Sequence, residues 1–411
     1  LGVLPLDELQ VVLESITASS SNLNSEAYLI NLISRFGKLV EHFLGFGTET
    51  KHGSREPYYW VILQGLLRYH YHQMSLRGLV RVGNLRDSFG RPLRDLRISV
   101  TDRCNFRCTY CMPKEIFGKD FPFMPRDSIM TFEEIDRLAG IFISLGVRKI
   151  RLTGGEPLLR KNIHELISML ALRDVEVAMT TNGVLLPRYA PSLSAAGLDR
   201  ITVSLDALDE STFAAITDSG HTVAAVLAGI EAAESVGLGP IKINTVIKRD
   251  TNENEILDLV ERFSDRDIAV RFIEYMDVGN TNGWSMDDVV SAEEIREKIG
   301  GLSVIPPKNP GDVSKNYRLP DGGEIGIISS VTEPFCNECT RARISSDGRL
   351  FTCLFSNKGF DILSLLRDGK EDSEISDAIQ HIWGSRDDRY SEVRTQKSRI
   401  GDRIEMSYIG G

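Results

Sequence analysis

The stretch LRISVTDRCNFRCTYC, residues 96–111, decides the fold. Its first five residues, 96–100, are mostly apolar or β-branched and predict a buried strand. Three cysteines follow directly, Cys104, Cys108 and Cys111, with spacers of three and two residues. The loop therefore presents its thiols beyond the carboxyl end of a strand, where parallel α/β folds place their sites.

Downstream of this stretch, short strand patterns alternate with helical patterns. Strands are predicted at 96–100, 149–153, 175–180, 200–205, 241–247 and 269–273, and helices at 131–145, 162–172, 189–196, 223–236 and 253–262. Repeated strand–helix units indicate a parallel sheet with right-handed crossovers. The fold class is therefore α/β, with an incomplete (β/α)6 TIM-type barrel over residues 85–284.

The sections on either side of this barrel have different patterns. Residues 1–84 show helical periodicity and contain no cysteine, which predicts a helical appendage whose role the sequence does not reveal. Residues 285–411 predict a C-terminal α+β extension. Its strands are expected at 324–329, 342–345 and 350–353, and its helices at 362–366 and 374–383.

Bulk composition excludes two classes of protein. The 411 residues carry a formal net charge of −10, whereas general nucleic-acid binders present basic fields. No apolar run reaches the ~18–20 residues that cross a bilayer. The N-terminus lacks the layout of a signal or transit peptide. We therefore predict a cytoplasmic protein that binds neither nucleic acid nor membrane.

All six cysteines fall into two groups of three. The first triad is Cys104, Cys108 and Cys111, and the second triad is Cys336, Cys339 and Cys353. A secreted disulfide framework would spread cysteines through a short chain, so metal sites are predicted instead. Three thiolates can bind three irons of a [4Fe–4S] cluster and leave the fourth iron open. The alternative is zinc, which takes four ligands; His164 could complete the first site, whereas His381 lies outside the spacing for the second.

Several cations lie on predicted barrel strands of this acidic chain. Lys149 and Arg151 are two residues apart on one strand and so share a face, and Lys242 and Arg271 lie among apolar neighbours on later strands. A buried cation without a partner is costly, so a bound polyanion would explain these residues. The alternative is pairing with carboxylates of the barrel, Glu156 among them.

The first triad and the residues before it, 96–105, resemble the radical S-adenosylmethionine (SAM) superfamily. In particular, they are similar to its branch in molybdenum-cofactor biosynthesis, and the likeness runs from about residue 82 to residue 411. The resemblance implies two [4Fe–4S] clusters as cofactors, one in each triad. The open iron of the first would bind SAM, and that of the second would meet the guanine of GTP.

The resemblance also assigns side chains and glycines at the strand ends to SAM. Paired glycines in TGGEP, 153–157, let a backbone edge approach a ligand, although such a run alone is more often a turn. Without the resemblance, the other residues of the implied site would be explained by core packing or by turns at the strand ends. The implied SAM site is Tyr110, Gly154, Gly155, Glu156, Thr181, Asn182, Ser204 and Met276.

For GTP, the resemblance adds Arg97, Arg341 and Arg343 to the four barrel cations. It gives the same three arginines a catalytic role together with Gly410 and Gly411, which would otherwise be an ordinary frayed end. The implied reaction removes hydrogen from C3′ of GTP with a 5′-deoxyadenosyl radical. Closure of a C3′–C8 bond then gives (8S)-3′,8-cyclo-7,8-dihydroguanosine 5′-triphosphate, the first step of the pathway.

The implied partners follow from this chemistry. An electron donor such as ferredoxin or flavodoxin would reduce the first cluster, cyclic pyranopterin monophosphate synthase would receive the product, and a homodimer is compatible with the sequence. Two alternatives stay open at this point. One is a radical SAM peptide-modifying enzyme with an auxiliary cluster, and the other is a non-catalytic protein with two structural metal sites.

Overall fold

The computed structural model describes residues 85–307, 311–394 and 403–410. The predicted helical appendage, 1–84, and the last residue of the predicted site, Gly411, lie outside these residues. Within the described part of the chain, no helix is long and apolar enough to cross a membrane.

The six predicted parallel strands are all present. They are β1 (Asp95–Ser99), β2 (Lys149–Thr153), β3 (Glu176–Thr181), β4 (Arg200–Ser204), β5 (Ile241–Ile247) and β6 (Ile268–Glu274). Each strand pairs in parallel with the next one along the chain. Their bounds agree with the predicted ones to within one residue at each end, and the incomplete TIM-type barrel is confirmed.

Helices connect these strands and continue after them. In the described residues they are Phe132–Ser144, Ile163–Ala171, Leu186–Ala195, Glu210–Thr217, Val223–Ser235, Glu255–Phe263, Ala292–Ile299, Leu363–Arg367, Asp372–Gly384, Tyr390–Val393 and Met406–Ile409. The first begins with a capping box, in which the Thr131 hydroxyl accepts from the Glu134 amide and the Glu134 carboxylate accepts from the Thr131 amide. This exchange satisfies two backbone donors that a helix start leaves unpaired.

The C-terminal segment adds strands to both edges of the barrel. They are β7 (Ser303–Ile305), β8 (Lys315–Arg318), β9 (Glu324–Ile328), β10 (Arg341–Ile344), β11 (Arg349–Phe351) and β12 (Phe360–Asp361). β9 pairs in parallel with β6, and β10 pairs in parallel with β1. The four others extend these edges in antiparallel fashion, so that twelve strands of the described residues form one sheet. The domain boundary at residues 284 and 285 stays a prediction.

Side chains alternate across the barrel strands. Ile150 and Leu152 of β2 are fully buried in the continuous apolar core, which includes residues of the surrounding helices. The intervening residues Lys149, Arg151 and Thr153 share the opposite face, and Thr153 lines the internal cavity described below. Because successive strand residues point to opposite faces, Lys149 and Arg151 also face the barrel interior.

Candidate active site

A cavity of about 280 Å³ lies at the carboxyl ends of the barrel strands. Both cysteine triads line it, together with the three arginines predicted from the resemblance, Arg97, Arg341 and Arg343. Most of the predicted SAM residues line the same cavity, namely Tyr110, Gly154, Gly155, Thr181, Asn182, Ser204 and Met276. The fold therefore brings together predicted residues that are up to about 250 positions apart in the chain.

The loop of the first triad is held by its own arginine and by a neighbouring helix. Arg107 donates from Nη1 to the carbonyl oxygens of Cys104 (2.8 Å) and Phe106 (2.7 Å). The backbone amides of Arg107 and Thr109 donate to carbonyl oxygens at the end of helix Glu210–Thr217, at 2.8 and 2.9 Å. These contacts fix the loop with all three thiols on the cavity side.

The thiols of this loop are buried together. Burial raises the pKa of Cys104 and of Cys111 to about 12, and charged neighbours add to the effect. Burial likewise raises the pKa of Cys108, with Asp206 and the other two cysteines as further causes. Such thiols become thiolates when a cation binds and releases their protons. Three soft sulfur donors on one loop fit a [4Fe–4S] cluster whose fourth iron has no protein ligand.

The alternative of a single zinc ion receives no support from this arrangement. Among the described residues, no three His, Cys, Asp or Glu side chains are grouped as ligands of one metal ion. A cubane binds each thiolate through a different iron, so its cysteines are spread further apart than the ligands of one ion. His164, the candidate fourth zinc ligand, does not line the cavity.

The paired glycines at the end of β2 allow the cysteine loop to come close. The amides of Gly155 and Glu156 donate to the carbonyl oxygens of Thr101 and Arg103, each at 2.8 Å. A Cβ added at Gly154 or Gly155 would overlap these same two carbonyl oxygens, and Gly154 has a φ of +148°. Only glycine therefore permits this contact. The sequence analysis had explained the paired glycines by the approach of a ligand instead.

Glu156 has a different role from its glycine neighbours. Its carboxylate accepts hydrogen bonds from Thr181 Oγ1 (2.8 Å), the Asn182 amide (2.7 Å) and the Leu158 amide (2.9 Å). Burial raises its pKa to about 7, although these hydrogen bonds act in the opposite direction. Glu156 does not line the cavity, so it positions Thr181 and Asn182, which do.

The sequence analysis did not select Asp206, whose carboxylate lies at the mouth of the barrel. Tyr110 donates to Asp206 Oδ2 (2.8 Å), and Asp206 Oδ1 accepts from the Val246 amide (2.8 Å). Burial raises the pKa of Asp206 to about 6. Its position at the end of β4, two residues after Ser204, is the signal that could have identified it. Asn244, two residues after Lys242 on β5, also lines the cavity and has an unpartnered, buried Oδ1.

The second triad lies opposite these strand ends. Cys336 begins a short 3-10 helix, Cys336–Glu338, and Cys339 caps it, while Cys353 follows β11. Burial would raise the pKa of Cys339, but the cations Arg341 and Arg386 lower it to about 6. Arg341 Nη2 lies 3.6 Å from the Cys339 sulfur. The site therefore stabilises a thiolate before any metal binds.

Three arginines lie side by side across the barrel interior. Arg343 of β10 is in register with Arg97 of β1, and Arg97 is in register with Arg151 of β2. Burial and the repulsion from Arg343, Arg151 and Arg341 lower the pKa of Arg97. A row of buried cations that repel one another is costly unless an anion lies against it.

The other predicted cations do not line the cavity. Lys149 and Lys242 lie at the amino ends of β2 and β5, and Arg271 is the central residue of β6. Lys149 forms an ion pair with Glu176 at 2.8 Å. Pairing with a barrel carboxylate was the alternative to a bound polyanion, and Glu176 takes the role that was considered for Glu156. Burial and nearby cations lower the pKa of Lys242 to about 7 and that of Arg271 to about 10. Arg200 of β4, which the sequence analysis did not select, contributes to both shifts.

The C-terminal tail enters the barrel mouth. Arg343 Nη1 donates to the Gly410 carbonyl oxygen at 2.8 Å, and the preceding Ile409 is fully buried. Glu405 anchors the tail by accepting from the Asn280 amide at 2.9 Å. Gly410 has a φ of +72°, and a Cβ there would overlap Thr153 Oγ1. The close fit explains why this position takes glycine.

The chain is similar to known proteins in sequence and in fold. The Radical SAM superfamily matches residues 98–263, and Molybdenum Cofactor Synthesis C matches residues 268–392. One solved structure, Streptococcus suis SuiB bound to S-adenosylmethionine, aligns with a TM-score of 0.49 and 15% identity, covering 88% of this chain and 77% of that one.

Two curated relatives are much closer in sequence. The GTP 3′,8-cyclase of Acidothermus cellulolyticus is 50% identical over 358 residues, which cover 80% of this chain and 99% of the relative. The GTP 3′,8-cyclase of Staphylococcus haemolyticus is 48% identical over 340 residues, covering 80% of this chain and 100% of the relative. The chain therefore belongs to the GTP 3′,8-cyclase family of radical SAM enzymes, which acts in molybdenum-cofactor biosynthesis.

Proposed function

We propose that this chain converts GTP to (8S)-3′,8-cyclo-7,8-dihydroguanosine 5′-triphosphate. GTP would lose a hydrogen atom from C3′ and close a C3′–C8 bond. Uptake of one electron from an external reductant and of one proton then completes the product. The nucleotide thus gains a ring with no net oxidation and no hydrolysis, and we propose that the enzyme is a lyase. The observation that carries the proposal is one cavity lined by two cysteine triads and by the cations between them.

The first triad would hold the cluster that the radical SAM superfamily requires. When bound there and reduced, this cluster supplies a 5′-deoxyadenosyl radical from SAM. Thr181, Asn182 and Ser204 offer hydroxyl and amide groups at the mouth, where the ribose and amino-acid parts of SAM need them. Tyr110 is fixed by Asp206 and offers its ring to the adenine.

The second triad would hold a second [4Fe–4S] cluster. Its three cysteines line the cavity from the side opposite to the first triad. If one iron of this cluster had no protein ligand, it would supply a Lewis acid for a nitrogen or oxygen of guanine. The base would then lie between the two triads, and the ribose would point towards the first.

The barrel interior would take the triphosphate. Arg343, Arg97 and Arg151 form a row across three neighbouring strands, and Lys242 and Arg271 lie on the far strands. Guanidinium groups bind phosphate oxygens with two parallel hydrogen bonds, and ammonium groups add point charges. A tetraanion would thus offset the mutual repulsion of these side chains, and the bound nucleotide would be held with its C3′ facing the first triad.

The direct test is anaerobic reconstitution with iron and sulfide, followed by incubation with SAM and dithionite. With GTP, we expect 5′-deoxyadenosine and a cyclic nucleotide in equal amounts. With ATP, which has the same triphosphate and a different base, we expect little of either product. Equal 5′-deoxyadenosine with both nucleotides, and no cyclic product, would contradict the proposed substrate.

The pH dependence of GTP binding provides a second test. Lys242 has a pKa of about 7 in the free enzyme because burial and the cations Arg271 and Arg200 disfavour its charged form. A bound triphosphate favours the charged form and raises this pKa, so binding takes up a proton above pH 7. We expect GTP affinity to be constant below pH 7 and to fall by up to about tenfold per pH unit above it.

Calorimetry between pH 6 and pH 9 measures this effect. The Lys242→Met variant should bind GTP more weakly and lose most of the slope above pH 7. The matched control is Lys315→Met, because Lys315 is exposed and pairs with Glu333. A steep slope that persists in the Lys242→Met protein would show that another group is responsible.

Three partners are part of the proposal. An external electron donor, for which a ferredoxin or flavodoxin is suited, would reduce the first cluster. Cyclic pyranopterin monophosphate synthase would receive the cyclic nucleotide. We also propose a homodimer, which size-exclusion chromatography with light scattering can test.

A further inference from the structure

Two buried arginines bind the backbone of the second triad. Arg91 Nη1 donates to the Cys336 carbonyl oxygen at 2.8 Å, and Arg386 Nη1 donates to the Cys339 carbonyl oxygen at 2.8 Å. The two arginines come from opposite ends of the described chain, one before β1 and the other after helix Asp372–Gly384. Both ends of the Cys-x-x-Cys turn are thus held by arginine side chains, of which Arg386 lines the cavity and Arg91 lies behind it.

One carboxylate holds both arginines. Asp87 Oδ2 lies 2.5 Å from Arg91 Nε and 3.3 Å from Arg386 Nη1, and all three side chains are at most 2% exposed. Asp87 Oδ1 is also occupied, since it accepts from the backbone amides of Phe89 (3.0 Å) and Arg91 (2.8 Å). We refer to Asp87, Arg91 and Arg386 as the arginine bracket.

Further contacts make the bracket rigid. Arg386 stacks over the Trp383 ring at 4.5 Å, and Trp383 Nε1 donates to the Arg91 carbonyl oxygen at 3.3 Å. Arg91 Nη1 also donates to the Asp388 carbonyl oxygen at 2.8 Å. A buried network with this many partners has few alternative geometries. The turn that it holds therefore has a fixed orientation as well.

The formal charges of the two arginines are balanced by two carboxylates, but the position of one guanidinium group favours a loaded site. Two guanidinium groups share the fully buried Asp87, and the second carboxylate near them, Asp388, lies 3.4 Å from Arg386 Nε. Arg386 lines the cavity together with Cys336, Cys339 and Cys353. A [4Fe–4S] core with three thiolates carries net negative charge, which increases on reduction. A buried cation beside it therefore favours both binding and reduction.

We propose that Arg91 and Arg386, held by Asp87, are positioning residues for the second triad. They bind the carbonyl oxygens of Cys336 and Cys339 so that both thiols face the cavity, and they offset the negative charge of the cluster. This inference rests on the proposed second cluster. It does not depend on the identity of the substrate.

The test uses the full chain with Cys104, Cys108 and Cys111 replaced by alanine, so that only the second triad binds iron. Arg386→Gln is expected to lose iron to a chelator about tenfold faster than the parent. Its reduction potential, measured by an EPR-monitored redox titration, should be more negative because a cation has been removed. Arg386→Lys keeps the positive charge but lacks the planar guanidinium group with its several donors. The reduction potential of its cluster should therefore stay closer to that of the parent.

The matched control is Arg389→Gln, three residues further along. Arg389 is 41% exposed and pairs with Glu392, so its loss should change neither iron retention nor potential. To exclude misfolding, Arg386→Gln is also made with the first triad intact, where the first cluster should show an unchanged EPR response to SAM. Equal iron loss and equal potential in Arg386→Gln and the control would overturn the proposal. A parent that binds no iron would overturn it as well, whereas failure to turn over GTP would contradict only the proposed function.

Discussion

The variant Cys104→Ala/Cys108→Ala/Cys111→Ala is expected to form no detectable 5′-deoxyadenosine from SAM and dithionite. The three thiols are the only cysteines on the loop after β1, and their removal leaves no thiolate there to bind iron. Iron should fall from about eight to about four per chain, because each cubane contains four irons. Iron analysis, EPR and chromatography of the nucleoside products measure the effect.

The matched control removes the second triad instead. Cys336→Ala/Cys339→Ala/Cys353→Ala should also retain about four irons per chain. It should still cleave SAM slowly, since the first triad is intact, but it should form no cyclic nucleotide. If the first variant still released 5′-deoxyadenosine, or if the second retained about eight irons, the assignment of one cluster to each triad would be wrong.

A single methyl group added at the C-terminal tail is also expected to reduce cyclisation strongly. In Gly410→Ala, the new Cβ would overlap Thr153 Oγ1 and would displace the carbonyl oxygen that Arg343 binds. Because small displacements of catalytic groups are costly, we expect cyclisation to fall by about 100-fold. Iron content should stay unchanged, since the atoms nearest to the new Cβ belong to Thr153 and Ser99 and not to a cysteine.

The control for this substitution is a glycine with the same φ but with open space around its Cα. It separates the effect of the overlap with Thr153 from that of backbone strain. Gly237 has the same φ as Gly410, +72°, but a Cβ at Gly237 would have nothing within 4 Å. Gly237→Ala should therefore cost about 1 kcal/mol of stability and leave activity unchanged. Gly410→Ala with normal cyclisation would show that the position of the tail carbonyl is irrelevant to the reaction.

The local sequence pattern was sufficient to predict the strands of the barrel. Each of β1 to β6 is a short apolar run between helical patterns, so its position could be predicted without knowing its neighbours. The cysteine spacings were equally local, and the strand ends indicated most of the cavity lining. Polar residues after a parallel strand lie at one edge of the sheet whatever the rest of the chain does.

The remaining features depend on pairing between distant segments. The register that places Arg343 beside Arg97 joins strands almost 250 residues apart, and no local signal specifies it. Arg386 lies after a helix end with no recognisable motif, so neither its contact with Cys339 nor its link to Asp87 could be inferred. The pairing of Lys149 with Glu176 depends in the same way on the register between β2 and β3.

The attachment of β9 and β10 to the two barrel edges has a consequence for biosynthesis. Translation proceeds from the amino end to the carboxyl end, so β1 to β6 emerge while both edges, β1 and β6, are still unpaired. Unpaired edge strands are sites of aggregation, and these two stay open until β9 and β10 have been translated. The cysteines of the first triad are translated about 230 residues before the arginines of β10. Slow translation of residues 275–345 would prolong the time for which both edges are exposed.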